Sequence, residues 1–143
     1  MWLDLANAHN LIPHELIDFA VEFFYIPASI TTIIARYFSK FYMCFSASQW
    51  QQLEIGIAFG FSISLIMFAI AFEIILIRAR QVVKGLKLPT GERLPALRSY
   101  VDNVTIILQT VLCTSRVLKR LDEMTAWARL KIKPSKSRSL SLE

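Results

Sequence analysis

The sequence predicts an all-α fold: a single transmembrane helix, N-terminal amphipathic helices before it and a long C-terminal amphipathic helix after it. Three observations carry that expectation. Residues 55–77, IGIAFGFSISLIMFAIAFEIILI, hold one ionisable group, Glu73, and at about 1.5 Å of rise per residue such a run crosses a hydrocarbon core of roughly 30 Å. Apolar residues on both sides of it recur at helical spacing. Finally, 55% of the 143 residues are apolar and the mean hydropathy is +0.46, too greasy a chain for several soluble domains. A buried helix of a soluble domain is the alternative for residues 55–77, disfavoured because soluble helices of that length normally keep a polar face.

Residues 1–52 read as interfacial helices. The stretch 13–26 opens with Pro13, tolerated in a first turn, and sets Glu15, Asp18 and Glu22 against Leu16, Ala20, Phe23 and Phe24. Pro27 interrupts it. Ser29 can then cap a second helix in which Ile30, Ile33, Ile34, Tyr37, Phe38 and Phe41 face one way and Arg36 and Lys40 form a basic pair. Aromatic crowding from Tyr37 to Phe45 suits a helix in the headgroup zone, and Trp50, in the polar break 46–52, suits the interface itself. Joining residues 16–35 into another span would carry Asp18 and Glu22 into lipid, at a cost of about 3 kcal/mol each unless buried against a partner.

The expected span, 53–80, has two strips of small residues. Gly56, Gly60, Ser64 and Ala71 form one; Ala58, Ser62, Ala69 and Glu73 form the other. Such strips let neighbouring backbones approach where hydrophobicity cannot drive association. Arg78 projects about 140° away from Glu73 around a helix, so the carboxylate is expected to meet a partner outside its own helix unless it snorkels to the headgroups. Arg78, Arg80 and Lys84, with Arg36, Lys40 and Trp50, form the expected lipid-headgroup set.

Residues 81–94 read as a loop, marked by Gly85, Pro89 and Gly91. From Pro95 a helical pattern runs through 95–133: Leu97, Val101, Val104, Leu108, Val111, Ser115 and Leu118 recur at steps of four and three, continued by Leu121, Thr125, Ala128 and Ile132. Val104–Cys113 is apolar enough for a second span, but Asp102, Asn103, Gln109, Arg116 and Lys119 bracket it closely. The tail, 134–143, is basic and Ser-rich.

Charge is uneven. Residues 1–54 carry Arg36 and Lys40 against five acids, whereas residues 78–143 carry fourteen Lys or Arg against five acids. The positive-inside rule puts the C-terminal side in the cytosol or mitochondrial matrix. The N-terminus has no basic region before an apolar run and contains Asp4, so no secretory signal is expected. Cys44 and Cys113 lack metal or redox spacing and read as small core residues. His9 and His14, five apart, do not share a helical face and read as surface groups. No phosphate-cradling glycine loop or nucleophile elbow is visible, and no acid–base pair in a plausible cleft. A non-enzyme is therefore expected. Basic residues after position 77 have only Tyr100 and Trp127 for stacking, so an adjacent membrane explains the charge better than nucleic acid does.

Glu73-Ile74-Ile75 followed by Arg78, with Glu54 at the start of the span, resembles the end of the membrane helix in subunit g of mitochondrial ATP synthase. Phe72, Leu76 and Ile77 depart from that family's Gly, Gly and basic residue. The resemblance implies a non-catalytic, single-pass subunit of the mitochondrial inner membrane that supports assembly, dimer contacts and membrane shaping. Its partners would be membrane lipids and other transmembrane subunits, with no nucleic acid. No cofactor is expected beyond a bound phospholipid such as cardiolipin. The alternatives are an accessory subunit of a respiratory-chain complex and a small ion-conducting membrane protein of viral type, with Glu73 lining the pathway.

Overall fold

A computed structural model describes residues 1–46, 49–58 and 60–140. In chain order the elements are β1 (Trp2–Asp4), α1 (Ala8–Leu11), α2 (His14–Phe23), α3 (Ala28–Ser39), β2 (Tyr42–Ser46), β3 (Gln49–Gln52), α4 (Ser62–Arg80), β4 (Leu97–Tyr100), β5 (Asn103–Ile106) and α5 (Val111–Trp127), with a 3₁₀ turn at Pro134–Lys136. The chain divides into two units. One comprises Met1–Ala8 with Phe72–Glu143, the other His9–Ala71.

Two antiparallel sheets correct the all-α expectation. The larger has the order β1-β5-β4, and β2 pairs with β3 in the smaller. In the larger sheet Leu3 faces Val104, and Leu97 faces Ile106. All four are buried, as is Leu5. Alternation of period two thus puts the apolar set on one face. Residues 132–138 extend the sheet beyond β1 through bridges Leu5↔Ile132 and Trp2↔Arg138. β1 is therefore an inner strand.

The long helix expected over 95–133 is also corrected, because its first part is the β4–β5 hairpin. The four-three spacing of Leu97, Val101 and Val104 is equally a period-two pattern interrupted by a turn, and Val101 sits in that turn with φ +56, which a right-handed helix does not allow. Helix begins only at Val111. There Thr110 caps it, its hydroxyl accepting from Cys113 N at 3.2 Å. α5 buries Val117, Leu121 and Thr125, one face at steps of four, and ends before Arg129, whose φ is +57.

The bounds of the expected span, 53–80, are corrected at α4. This helix, with a mean hydropathy of 2.1, passes a length and composition test for crossing a membrane, yet half of that apolar window is buried within the protein. Phe68, Ala71, Phe72, Ile75, Leu76 and Ala79 are each at most 1% exposed. Their hydrophobicity is spent on protein cores. Nor does the helix start at residue 53. Gly56 and Gly60 have φ +84 and +90, so this segment is not α-helical; at Gly56 a Cβ would stand 2.5 Å from the backbone oxygen of Asn10.

In the unit His9–Ala71, α2 and α3 occupy the stretches read as helical. Gly56 N donates to Ile12 O at 2.9 Å and Ile57 N to His9 O at 2.7 Å, which ties residues 56–57 to α1. Both histidines are built in rather than free on the surface: His14 Nε2 lies 2.8 Å from Gly56 O, and the His9 ring stacks on Phe68 at 4.3 Å. Cys44 is exposed on β2. In the unit that holds the larger sheet, Arg93 donates to Gly85 O at 3.1 Å and Leu94 N to Leu86 O at 2.9 Å, closing the loop that delivers the chain to β4.

Candidate functional site

The sheet of β1, β5 and β4 has an open face opposite its apolar one. Antiparallel register places Asp4, Asn103 and Tyr100 in one row across the three strands, and Trp2, Thr105 and Arg98 in the next. Residues directly opposed in such a pair project to the same side, with Cβ atoms about 4.5–5.5 Å apart. Asp102 completes the first row from the turn: Asn103 Nδ2 donates to Asp102 Oδ1 at 3.2 Å. Two carboxylates far apart in the sequence thereby flank Asn103, Asp4 across from it and Asp102 bonded to its side chain.

Both are held by backbone. Asp4 lies on a strand bonded along both edges, with Lys133 N donating to its carbonyl at 2.7 Å and Ala6 N donating to Lys131 O at 2.7 Å on the same side. Asp102 occupies the second position of a two-residue turn whose first residue, Val101, has a positive φ. That conformation suits glycine far better than a β-branched residue. Backbone strain of this kind concentrates at sites where geometry serves a purpose.

A cation stands beside the row. The 3₁₀ turn after β1's outer neighbour brings Lys136 Nζ to 3.8 Å from Asp4 Oδ2, where the Asp4 side chain is only 15% exposed. Around the carboxylates the open face offers Tyr100, 82% exposed, Trp2, 51% exposed, and the exposed Arg98. Arg138 stands opposite Trp2 on the added edge. Aromatic planes and guanidinium groups interleaved around a carboxylate pair are what a charged polymer with stacked rings would require.

The residues singled out by sequence lie elsewhere. Gly56, Ala58 and Gly60 precede α4, while Ser62, Ser64, Ala69, Ala71 and Glu73 lie on it, so the two strips share no single helix. Ser64 and Ala71 are buried, and Ser62 and Ala69 are exposed. Glu73 pairs with Arg80 two turns further along its own helix; Arg80 Nε also donates to Leu97 O at 3.3 Å. Arg36 lies exposed on α3 and Lys40 at its C-terminus. Trp50 is 72% exposed on β3, and Arg78 and Lys84 are exposed at and after the end of α4.

Sequence reasoning gave this row no role. Asp4 served only as evidence against a signal peptide, and Asp102 and Asn103 only as polar brackets. The available signal was short: alternating LRSY and NVTI separated by two residues, a hairpin pattern with an acid in the turn. No local signal links it to Asp4.

No curated protein sequence matches the chain. The sequence model of the family described as "Reverse transcriptase (RNA-dependent DNA polymerase)" matches residues 1–142. That finding overturns the resemblance to ATP synthase subunit g, together with the structural-subunit function and the membrane-complex vocabulary drawn from it. It equally overturns the expectations of a non-enzyme and of no nucleic-acid partner: an enzyme family of nucleic-acid polymerases spans nearly the whole chain. Matched over nearly its whole length, the chain belongs to the reverse transcriptase family.

Proposed function

We propose that the Asp4–Asp102 row is the reaction centre for nucleic-acid-templated nucleotidyl transfer, in which a primer 3′-oxygen bonds to the α-phosphorus of a deoxynucleoside triphosphate and pyrophosphate leaves. The observation that carries this is that Asp4 stands across from Asn103 and Asp102 is bonded to it, at one end of an open, basic and aromatic sheet face.

Polymerase sites of this kind use divalent cations, and the donor set fits one: Mg²⁺ takes one or two carboxylates and completes its shell with water and substrate phosphates. Asp4 and Asp102 would hold it, and when bound it would offset phosphate charge and acidify the attacking hydroxyl. The chain's own residues do the rest. The doubly bonded β1 fixes Asp4 in place. Lys136 supplies a mobile ammonium for triphosphate oxygens. Arg98 and Arg138 face backbone phosphates, and Trp2 and Tyr100 present ring faces to bases or sugars.

Primer extension on an RNA template by the purified chain tests the reading. Asp4→Asn and Asp102→Asn each keep side-chain shape and remove a charge, so each should lower extension by at least about 100-fold, as loss of a group acting in the transition state does, with unchanged circular dichroism. Extension by Asp102→Asn at the wild-type rate would remove this row from the chemistry.

A further inference from the structure

A Schellman turn ends α5: Leu130 N donates to Thr125 O at 2.8 Å and Arg129 N to Ala126 O at 3.1 Å, with Arg129 in the left-handed region at φ +57. The chain then pairs with Leu5 through Ile132, and a groove of about 820 Å³ is lined by α5 on one side and by residues 129–134 on the other. Its apolar lining is aliphatic, from Leu118, Leu130 and Ile132, and among the described residues no aromatic ring contributes. Lys119, Arg129 and Lys131 stand along it against one carboxylate, Asp122. All four are exposed, and among the described residues none of them is in an ion pair.

The strand edge at the groove is unpaired as well. Ala6 N donates to Lys131 O and Lys133 N to Asp4 O, each at 2.7 Å, so in this antiparallel bridge the N–H and C=O of Ile132 point away from Leu5. Neither is bonded among the described residues. We infer that the groove binds an extended acidic segment of another protein, one that alternates carboxylates with aliphatic side chains. Its backbone supplies the acceptor and donor that Ile132 lacks, as when a strand adds to a sheet edge. Alternate side chains project to opposite faces, so one set meets the aliphatic lining and the other the cations. Those cations do not answer the end of α5, because backbone amides already bond the carbonyls of Thr125 and Ala126. A nucleic-acid strand would satisfy the cations alone: it has no backbone amide for Ile132, and the lining offers its bases no ring to stack on.

Fluorescence anisotropy of the full chain with a labelled nonapeptide that alternates glutamate and valine tests this. Wild type should bind it saturably and ignore the matching peptide of lysine and valine. The double variant Lys119→Glu with Lys131→Glu should lose at least about tenfold in affinity for the acidic peptide and gain affinity for the basic one. Both positions are exposed, and circular dichroism checks that the fold is kept. A second measurement needs no variant: methylating the backbone amides of the valines, or those of the glutamates, blocks opposite edges of the peptide, so one set should cost at least about tenfold and the other little. No binding by wild type, equal affinity for the two peptides, a folded double variant that binds as wild type does, or equal effects of the two methylated sets would each overturn the inference and leave the polymerase reading standing. Tighter binding of a nine-nucleotide oligouridylate, weakened by the same double variant, would make the groove a nucleic-acid path and overturn it too.

Discussion

Replacing Leu97 by alanine probes whether the buried face of the sheet supports the site. Leu97 is 0% exposed and pairs across the hairpin with Ile106, itself 3% exposed. Removing three buried carbons at about 0.8 kcal/mol each forfeits roughly 2.4 kcal/mol of transfer free energy. A residual cavity adds to that, so a total of about 3–4 kcal/mol is expected. The carbonyl of Leu97 also accepts from Arg80 Nε at 3.3 Å, which resists relaxation further. Urea denaturation followed by circular dichroism measures the loss. Val111→Ala, at a position 85% exposed, is the internal control and should change stability by less than about 0.5 kcal/mol. A loss below about 1 kcal/mol for Leu97→Ala would show that β4 does not face a packed core, and the assignment of its opposite face to substrate would fall with it.

Gly85→Ala should destabilise the chain by about 3 kcal/mol or more, since its Cβ would stand 1.7 Å from the carbonyl oxygen of Leu94 and backbone cannot yield as a side chain can; thermal melting reads this, and a melting temperature equal to wild type would refute the close approach. Arg98→Ala should weaken binding to a primer–template duplex and lower the slope of log K against log salt by about one; fluorescence anisotropy at several salt concentrations would expose an unchanged slope, which would take Arg98 off the phosphate path. The carboxyl of Asp18 sits above its ordinary range, chiefly through burial, with Glu15 and Glu22 adding to the rise and His14 opposing it. A raised folded value means that the group's stabilising contribution is complete below the unfolded pKa and is lost as pH rises through the folded one. Asp18→Asn should therefore gain stability over wild type at neutral pH, and the gain should vanish as pH falls below the carboxylate range; a gain equal at all pH values would assign the effect to packing.

Sequence alone determined the local elements whose signals are local. Pro13 and Pro27 punctuate α2 and α3, and the largely apolar run from Ser62 to Ile77 makes a helix in any apolar surroundings. It could not say what those surroundings were, because hydrophobicity measures only escape from water and is satisfied equally by lipid or by a protein core. Nor could spacing separate a helical seam from two short strands around Val101 and Asp102, where a run of apolar residues at steps of four and three also alternates once a turn intervenes. Tertiary structure decided the second question, and it buries half of the apolar window of α4 within the protein. Asp4 and Asp102 lie nearly a hundred residues apart in the sequence, each unremarkable among its neighbours, and only the antiparallel register that sets Asp4 opposite Asn103 brings them to the same end of one sheet, since hydrogen-bonded pairing between distant strands fixes which side chains share a face.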